Sequence, residues 1–278
     1  MVSVTTMLAV IITFCVSTVL PIGILIFFGV KHKGKGIWSA WFLGAAGFFV
    51  MQMVIRTPIL NLLATRPSFM TFATEHYVLY CLSMAFTAAL SEVIARYVVA
   101  ILMKKNLTFQ RSLAAGLGHG GIEAIIIIGM NYLNNLIYIG MINGGSFDSM
   151  VEQTAALGVD TTSLLAIQDS LLHMNSGMYL LAGYERILTM ILHVALSLLV
   201  CYYVSRKEDW KGIIICLLCH SLVDFTAPFI NGCATEYMGN LISTSTAYII
   251  VYIFLTMVAV ASILAIRNVN KKWKEMSA

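Results

Sequence analysis

Apolar residues recur along the chain in seven long stretches rather than in the alternating patterns of a water-soluble fold. Each stretch holds about 20 residues or more, enough to cross roughly 30 Å of hydrocarbon as a helix that rises about 1.5 Å per residue. The pattern therefore predicts an all-α, polytopic transmembrane helical bundle. The predicted spans are 4–29, 37–57, 77–103, 111–141, 178–204, 212–231 and 241–267.

The composition supports a membrane protein and excludes a soluble one. Of the 278 residues, 59% are hydrophobic and 11% are charged, whereas about 25% of the residues in soluble domains are charged. The formal net charge of +4 does not indicate nucleic acid, because the basic residues flank the apolar stretches instead of forming a patch. We expect the lipid bilayer as the surroundings of the chain and no nucleic acid as a partner.

Lysine and arginine residues collect after the first, third, fifth and seventh predicted spans. The opposite loops hold at most Arg56 and Arg66. By the positive-inside rule, the N-terminus is predicted outside and the C-terminus in the cytoplasm. The basic residues on the predicted cytoplasmic side are Lys31, Lys33, Lys35, Lys104, Lys105, Arg111, Arg206, Lys207, Lys211, Arg267, Lys271, Lys272 and Lys274.

The one long loop, residues 142–177, carries acidic residues but no lysine or arginine. It also contains an apolar stripe with helical spacing, which predicts an amphipathic helix at the outer interface, either a connector on the lipid or a substrate lid. The stripe is Leu164, Ile167, Leu171 and Leu172. With no soluble segment elsewhere, residues 1–278 are predicted to form a single membrane domain.

Ionisable residues inside the spans are the strongest functional signal. A charged group in hydrocarbon costs at least about 2.5–3.5 kcal/mol on insertion scales, so each one needs a partner or a function. Three pairs are spaced i, i+4, and each pair therefore shares one helix face. The nine residues are Glu92 and Arg96, His119 and Glu123, Glu185, Arg186 and His193, and His220 and Asp224.

Counting from the basic loops at about 1.5 Å per residue predicts one functional layer. His119 and His220 come one helical turn nearer the predicted cytoplasmic side than this layer, at roughly 12–14 Å. The Glu185–Arg186 pair lies nearer the predicted outer side. Interhelical salt bridges could explain any single pair, but the whole layer favours a shared reactive site. The four residues at roughly 18–20 Å are Glu92, Glu123, His193 and Asp224.

Residues 116–121, Gly-Leu-Gly-His-Gly-Gly, match the dinucleotide-binding pattern G-x-G-x-x-G. That pattern needs a preceding strand, whereas here it begins a transmembrane helix, so we expect no nucleotide. The glycines are better explained by the close approach of another helix or of a substrate backbone.

Four motifs, taken in order, resemble the YhfC family of intramembrane proteases, which is similar to the PrsW and CAAX-processing glutamic-type membrane proteases. The resemblance extends from about the second span to the sixth. Its most distinctive part is Gly118-His119-Gly-Gly-Ile-Glu123 followed by Asn131-Tyr-Leu-Asn134-Asn135. The other motifs are Ser-Glu92-Val-Ile-Ala-Arg96-Tyr, Glu185-Arg186 followed by His193-Val-Ala-Leu-Ser197, and His220-Ser-Leu-Val-Asp224.

The resemblance implies a multi-pass endopeptidase of the bacterial plasma membrane that cleaves a membrane protein or peptide. In that family an intramembrane glutamate activates water, and Glu92 matches it. Arg96, Glu185 and Arg186 are expected to support the site. The remaining residues of the implied catalytic group are Glu123, His193, His220, Asp224 and His119.

The expected mechanism is metal-free. Glu92 deprotonates the water, His193 and His220 position it and stabilise the oxyanion, Asp224 orients His220, and Arg96 keeps Glu92 ionised. Zinc is the alternative, because His193, His220 and Glu92 together match a catalytic zinc ligand set.

Two other functions stay open. Relatives typically carry two adjacent glutamates in the first motif, whereas Glu92 is flanked by Ser91 and Val93, which leaves room for a noncatalytic pseudoprotease that binds or senses membrane proteins. A proton-coupled transporter also places ionisable residues at the midplane, but it often shows duplicated halves, and none are found here.

Overall fold

A computed structural model describes residues 1–277, which are almost entirely helical and contain no strand. Seven of the helices are long and apolar enough to cross a membrane, as the hydrophobic pattern predicts. They are Val4–Lys31, Ile37–Ala64, Tyr77–Leu102, Phe109–Gly144, Ser176–Ser205, Asp209–Gly232 and Thr244–Met276, referred to below as the first to seventh spans.

Glycines in the left-handed conformation mark one end of the second span and one end of the fourth. Gly36, with φ of 68°, precedes the second span, and Gly145, with φ of 75°, ends the fourth. Glycine adopts this left-handed conformation without the steric cost that a side chain brings. The second and seventh spans extend beyond their predicted ends at residues 57 and 267, to Ala64 and Met276.

Three spans contain a π-helical segment in which backbone bonds run from one residue to the fifth that follows. The segments are Cys15–Val19, Phe49–Arg56 and Ala124–Gly129. Such segments are rare and occur frequently at functional sites. The hydrophobic pattern does not predict these segments, because an apolar stretch has the same composition in an α-helix and in a π-helix.

The described chain groups into two compact units, each made of two chain segments. Unit 1 comprises residues 1–24 and 123–187, and unit 2 comprises residues 25–122 and 188–278, of which the structure describes those up to 277. The boundaries between these segments fall within the first, fourth and fifth spans.

Unit 2 has an apolar core built from six of the spans, the second to the seventh. Val93, Leu198 and Val223 are among its buried side chains, one each from the third, fifth and sixth spans. Large apolar side chains on the opposite helix faces, such as Leu218 and Ile249, are exposed. Exposure of this kind suits a protein surface whose solvent is lipid.

Unit 1 joins most of the first span to the later part of the fourth and the start of the fifth. The hydroxyls of Thr13 and Tyr132 both donate to the carbonyl oxygen of Tyr179, at 2.7 and 3.1 Å. Two shorter helices, Phe147–Ala156 and Thr162–His173, follow the fourth span.

The second of these short helices carries the apolar stripe predicted for the long loop. Leu171 is buried in the core of unit 1, and Ile167 and Leu172 pack against that core. The stripe thus contacts protein, which ties the helix to its own unit. Asp160 accepts hydrogen bonds from the N–H and hydroxyl of Thr162 at the start of this helix, and these bonds lower the pKa of the Asp160 carboxyl.

Candidate functional site

The carboxylate of Glu92 is the centre of the candidate site in unit 2. The residue lies on the third span and is only 4% exposed. Its Oε2 atom lies 3.0 Å from Nε2 of His119, 3.6 Å from Nδ1 of His193 and 3.5 Å from Nδ1 of His220. The fourth, fifth and sixth spans each contribute one of these histidines, and all three are buried.

Arg96 supplies the permanent positive charge beside this carboxylate. One helical turn after Glu92, its Nη2 atom lies 3.0 Å from Oε2 of Glu92 and 2.6 Å from Nδ1 of His193. Its Nη1 atom lies 3.4 Å from Nδ1 of His220. A buried carboxylate needs such a partner, because an unpaired charge in a low-dielectric interior is very costly.

These contacts determine which imidazole nitrogens carry protons. An arginine N–H can only donate, so Nδ1 of His193 accepts, and its proton belongs on Nε2. The carboxylate of Glu92 can only accept, so Nε2 of His119 donates. The two imidazoles thus have opposite hydrogen-bonding roles, His193 as acceptor from Arg96 and His119 as donor to Glu92.

Asp224 orients His220, as its i, i+4 spacing predicts. Its Oδ2 atom lies 3.3 Å from Nε2 of His220, which places the imidazole proton on that nitrogen and leaves Nδ1 to face Arg96 and Glu92. The Asp224 side chain is 30% exposed, against 3% for His220. Asp224 is therefore the more exposed member of this pair.

Gln52 is a further contact of Glu92 that the motifs do not reveal. Its side-chain amide donates a 2.7 Å hydrogen bond to Oε1 of Glu92, and both residues are buried. Gln52 lies in the π-helical segment Phe49–Arg56. With Oε1 held by Gln52, only Oε2 faces the histidines.

Arg56 follows Gln52 at the end of the same segment. Its guanidinium donates to the carbonyl oxygen of Met84 at 2.9 Å and approaches Oε1 of Gln52 at 3.5 Å. In the sequence, Gln52 and Arg56 stand out only as polar side chains within an apolar stretch. Arg56 thus reaches Glu92 only through Gln52, whereas Arg96 contacts the carboxylate directly.

Glycines of the fourth span bring the histidines close together. A methyl group at Gly118 would overlap the backbone carbonyl of Trp41 on the second span, and one at Gly120 would lie 2.9 Å from Cβ of His193. The glycine pattern that resembles a nucleotide loop thus serves close helix packing, the explanation favoured by the sequence. His119 lies between these two contacts.

In unit 1, Arg186 is the centre of a second group of ionisable residues. Its guanidinium contacts Oε1 of Glu123 at 3.3 Å and also pairs with Glu185. Two carboxylates therefore share one guanidinium. This arrangement gives Glu123, predicted as catalytic, a permanent ion-pair partner.

The side chains around Glu92 include the donor set of a metal centre. Glu92, His119 and His193 each offer one ligand atom, and these three atoms lie within 4.8 Å of one another. Two histidines and one carboxylate form a known catalytic zinc ligand set, so the residue types and their spacing fit. Arg96 lies 2.6 Å from the His193 nitrogen in this set and would have to turn aside.

The fold and this site together define a polytopic membrane protein with a buried carboxylate, imidazole and guanidinium cluster. The chain belongs to the YhfC family, because a model described as YhfC intramembrane metalloprotease matches residues 16–243. It is 30% identical over 243 residues to the uncharacterized membrane protein YhfC of Bacillus subtilis (strain 168), an alignment that covers 85% of this chain and 92% of that one. No solved structure matches the chain significantly.

These comparisons confirm the resemblance drawn from the four motifs. They also support a multi-pass protein of the bacterial cell membrane, in agreement with the seven apolar helices.

Proposed function

We propose that this chain is an intramembrane endopeptidase that hydrolyses a peptide bond of a membrane-associated protein or peptide, with Glu92 as the base that activates water. The observation that carries the proposal is the arrangement around Oε2 of Glu92. Three histidine nitrogens lie within 3.6 Å of this one buried oxygen. A bundle could obtain the same packing from small or hydroxyl side chains without the cost of burying a charge.

Hydrolysis begins when Oε2 of Glu92 takes a proton from water and the water oxygen attacks the peptide carbonyl. The carbonyl electrons move to oxygen, and the Nε2–H of His193 is the donor that stabilises this oxyanion. When the C–N bond breaks, the proton held by Glu92 passes to the leaving amine. Glu92 is then ionised again, as the neighbouring Arg96 favours.

His220 and Asp224 act at the exposed end of the site. Because Asp224 fixes the proton of His220 on Nε2, the Nδ1 atom remains an acceptor that can orient the attacking water. Arg96 also contacts this nitrogen at 3.4 Å. The pair thus positions water where the substrate would enter.

Cleavage assays test this proposal. Mass spectrometry of cells that express the wild-type chain identifies membrane proteins with new N-termini. Those whose new N-termini are absent from cells that express Glu92→Gln are candidate substrates. One such substrate, reconstituted with purified protein in liposomes, should be cleaved by the wild type and not by Glu92→Gln or His220→Ala. Undiminished cleavage by Glu92→Gln would overturn the assignment.

A metal-dependent peptidase is the second candidate, favoured by the donor set and by the description of the family. Glu92, His119 and His193 would hold the metal, with the Arg96 guanidinium displaced. A divalent metal held there would polarise the water and make it a better nucleophile at neutral pH. The contribution of the chain, in either case, is to orient water and substrate and to stabilise the oxyanion.

Metal analysis separates the two candidates. Protein purified without chelators is measured by inductively coupled plasma mass spectrometry, and cleavage is assayed before and after dialysis against a chelator. The metal-free proposal predicts less than about 0.1 zinc per chain and full activity after dialysis. Stoichiometric metal that is lost from His119→Ala, together with chelator-sensitive cleavage, would establish the metal-dependent route.

A further inference from the structure

A small cavity adjoins the candidate site within unit 2. Its volume is about 10 Å³, close to the room that one buried water requires. Arg96 and His119 of the candidate site form part of its wall, and Ser197 of the fifth span lies against it. The complete lining is Gly44, Arg96, Val99, Ala115, His119, Ser197 and Cys201.

Two polar groups of this lining lack partners. The hydroxyl of Ser197 and the Nε–H of Arg96 are buried, and neither finds a hydrogen-bond partner among residues 1–277. Ser197 is 4% exposed and Arg96 is 3% exposed. Leaving a buried polar group unsatisfied costs about 1–3 kcal/mol, whereas a buried water typically satisfies two to four such groups.

The cavity lies on the side of the basic loops. Ala115 comes four residues after Arg111, and Cys201 comes five residues before Arg206. At about 1.5 Å per residue, both lie within roughly 8 Å of those basic residues along their helices. Asp224 comes thirteen residues after Lys211. The cavity therefore lies nearer the basic residues along the helices than Asp224 does.

We propose that this cavity is a water site, in which a buried water bonds to Ser197 and Arg96, and that it supplies the candidate site from the side of the basic loops. Hydrolysis consumes one water per peptide bond, and a site enclosed by apolar spans needs a route for replacing it. The water site follows from the cavity and its unpartnered groups, while its role as supply rests on the proposed function.

Radiolytic labelling in H₂¹⁸O tests the water site without any assay of activity. A short X-ray pulse generates hydroxyl radicals from waters inside the purified protein, and mass spectrometry reads ¹⁸O incorporation in nearby side chains. Cys201 lines the cavity and is 2% exposed, and Cys81 is an equally buried reference at 3% that lies outside it. We expect several times more labelling at Cys201 than at Cys81.

Filling the cavity should abolish this difference. Ser197→Val replaces the unpartnered hydroxyl with methyl groups, and labelling of Cys201 should fall to the level of Cys81. Ser262→Val is the matched control, because Ser262 is also buried and does not line the cavity. Equal labelling of the two cysteines in the wild type would overturn the water site even if Ser197→Val proved unstable.

The supply role has its own readout. With a verified substrate, Ser197→Val should lower kcat about tenfold and leave KM unchanged, since it restricts water and not substrate. If Ser197→Val loses Cys201 labelling but keeps the wild-type kcat, the supply role is overturned and the proposed endopeptidase activity is not affected. Absence of cleavage by the wild type, with Cys201 labelled, would instead contradict the proposed function.

Discussion

The two units bury the same kinds of charged side chain in opposite arrangements. In unit 2 a carboxylate, Glu92, is the centre, and three imidazoles lie around it together with the guanidinium of Arg96. In unit 1 a guanidinium, Arg186, is the centre, and two carboxylates neutralise it. An arginine cannot give up its proton at accessible pH, so the second arrangement suits a structural bond and the first suits chemistry.

This difference teaches that residue type and depth do not by themselves identify a catalytic group. Glu92 and Glu123 are both buried glutamates that belong to recognisable motifs. Glu92 contacts imidazoles as well as Arg96, whereas Glu123 pairs with Arg186. Substitutions in each unit therefore have distinct expected consequences.

The largest effect is expected from Glu92→Gln. The amide preserves shape but cannot take a proton from water, so the cleavage rate should fall by about 10²–10⁴-fold, the usual contribution of a general base. Cleavage of a verified substrate in liposomes measures it, with Glu152→Gln in the helix Phe147–Ala156 as the control. A loss of less than tenfold would remove the distinction between the two units.

Arg186→Ala should affect stability more than chemistry. Removing this guanidinium leaves Glu123 buried without its cation, at a cost of about 3 kcal/mol. Thermal unfolding in detergent should show a clear decrease in Tm, and Arg186→Leu combined with Glu123→Gln should restore part of it. The exposed Arg206→Ala is the control, and an unchanged Tm for Arg186→Ala would contradict the structural role.

Gly120→Ala tests how tightly the histidines are placed. The new Cβ would lie 2.9 Å from Cβ of His193, and a displacement of about 1 Å can reduce a rate by about 10²-fold. We expect a loss of that size in kcat/KM. Gly140→Ala, on the same span with open space around it, should keep full activity, and equal behaviour of the two variants would argue against close packing at His193.

Gln52→Leu should have the smallest effect of the four. Without the amide, Oε1 of Glu92 loses its donor and the carboxylate can rotate, which we expect to lower kcat about tenfold, or about 1.4 kcal/mol. Gln153→Leu in the helix Phe147–Ala156 serves as the control. Wild-type kcat in Gln52→Leu would show that the histidines and Arg96 suffice to hold the carboxylate.

Sequence patterns predict the spans and the two contacts of the candidate site that lie within a single helix. The seven spans follow from apolar length, and i, i+4 spacing correctly pairs Glu92 with Arg96 and His220 with Asp224. The distances between helices cannot be read in this way, because they depend on how the spans pack. For that reason the contacts of His119 with Glu92 and of Arg186 with Glu123 required the structure.

Gln52 could not have been predicted for a different reason. Spacing rules assume a regular α-helix, and in the segment Phe49–Arg56 the backbone bonds run to the fifth residue instead. A helical wheel drawn for this span therefore assigns the wrong face to residues beyond the segment.

The same segment bears on how the site can vary among relatives. A π-helical turn holds one residue more than an α-helical turn, so deleting a single residue there can restore a regular helix without shortening the span appreciably. Such a deletion would rotate the residues on one side of it by about 100° and present another side chain to Glu92. One codon gained or lost is thus enough to exchange the neighbour of the Glu92 carboxylate while the rest of the bundle stays unchanged.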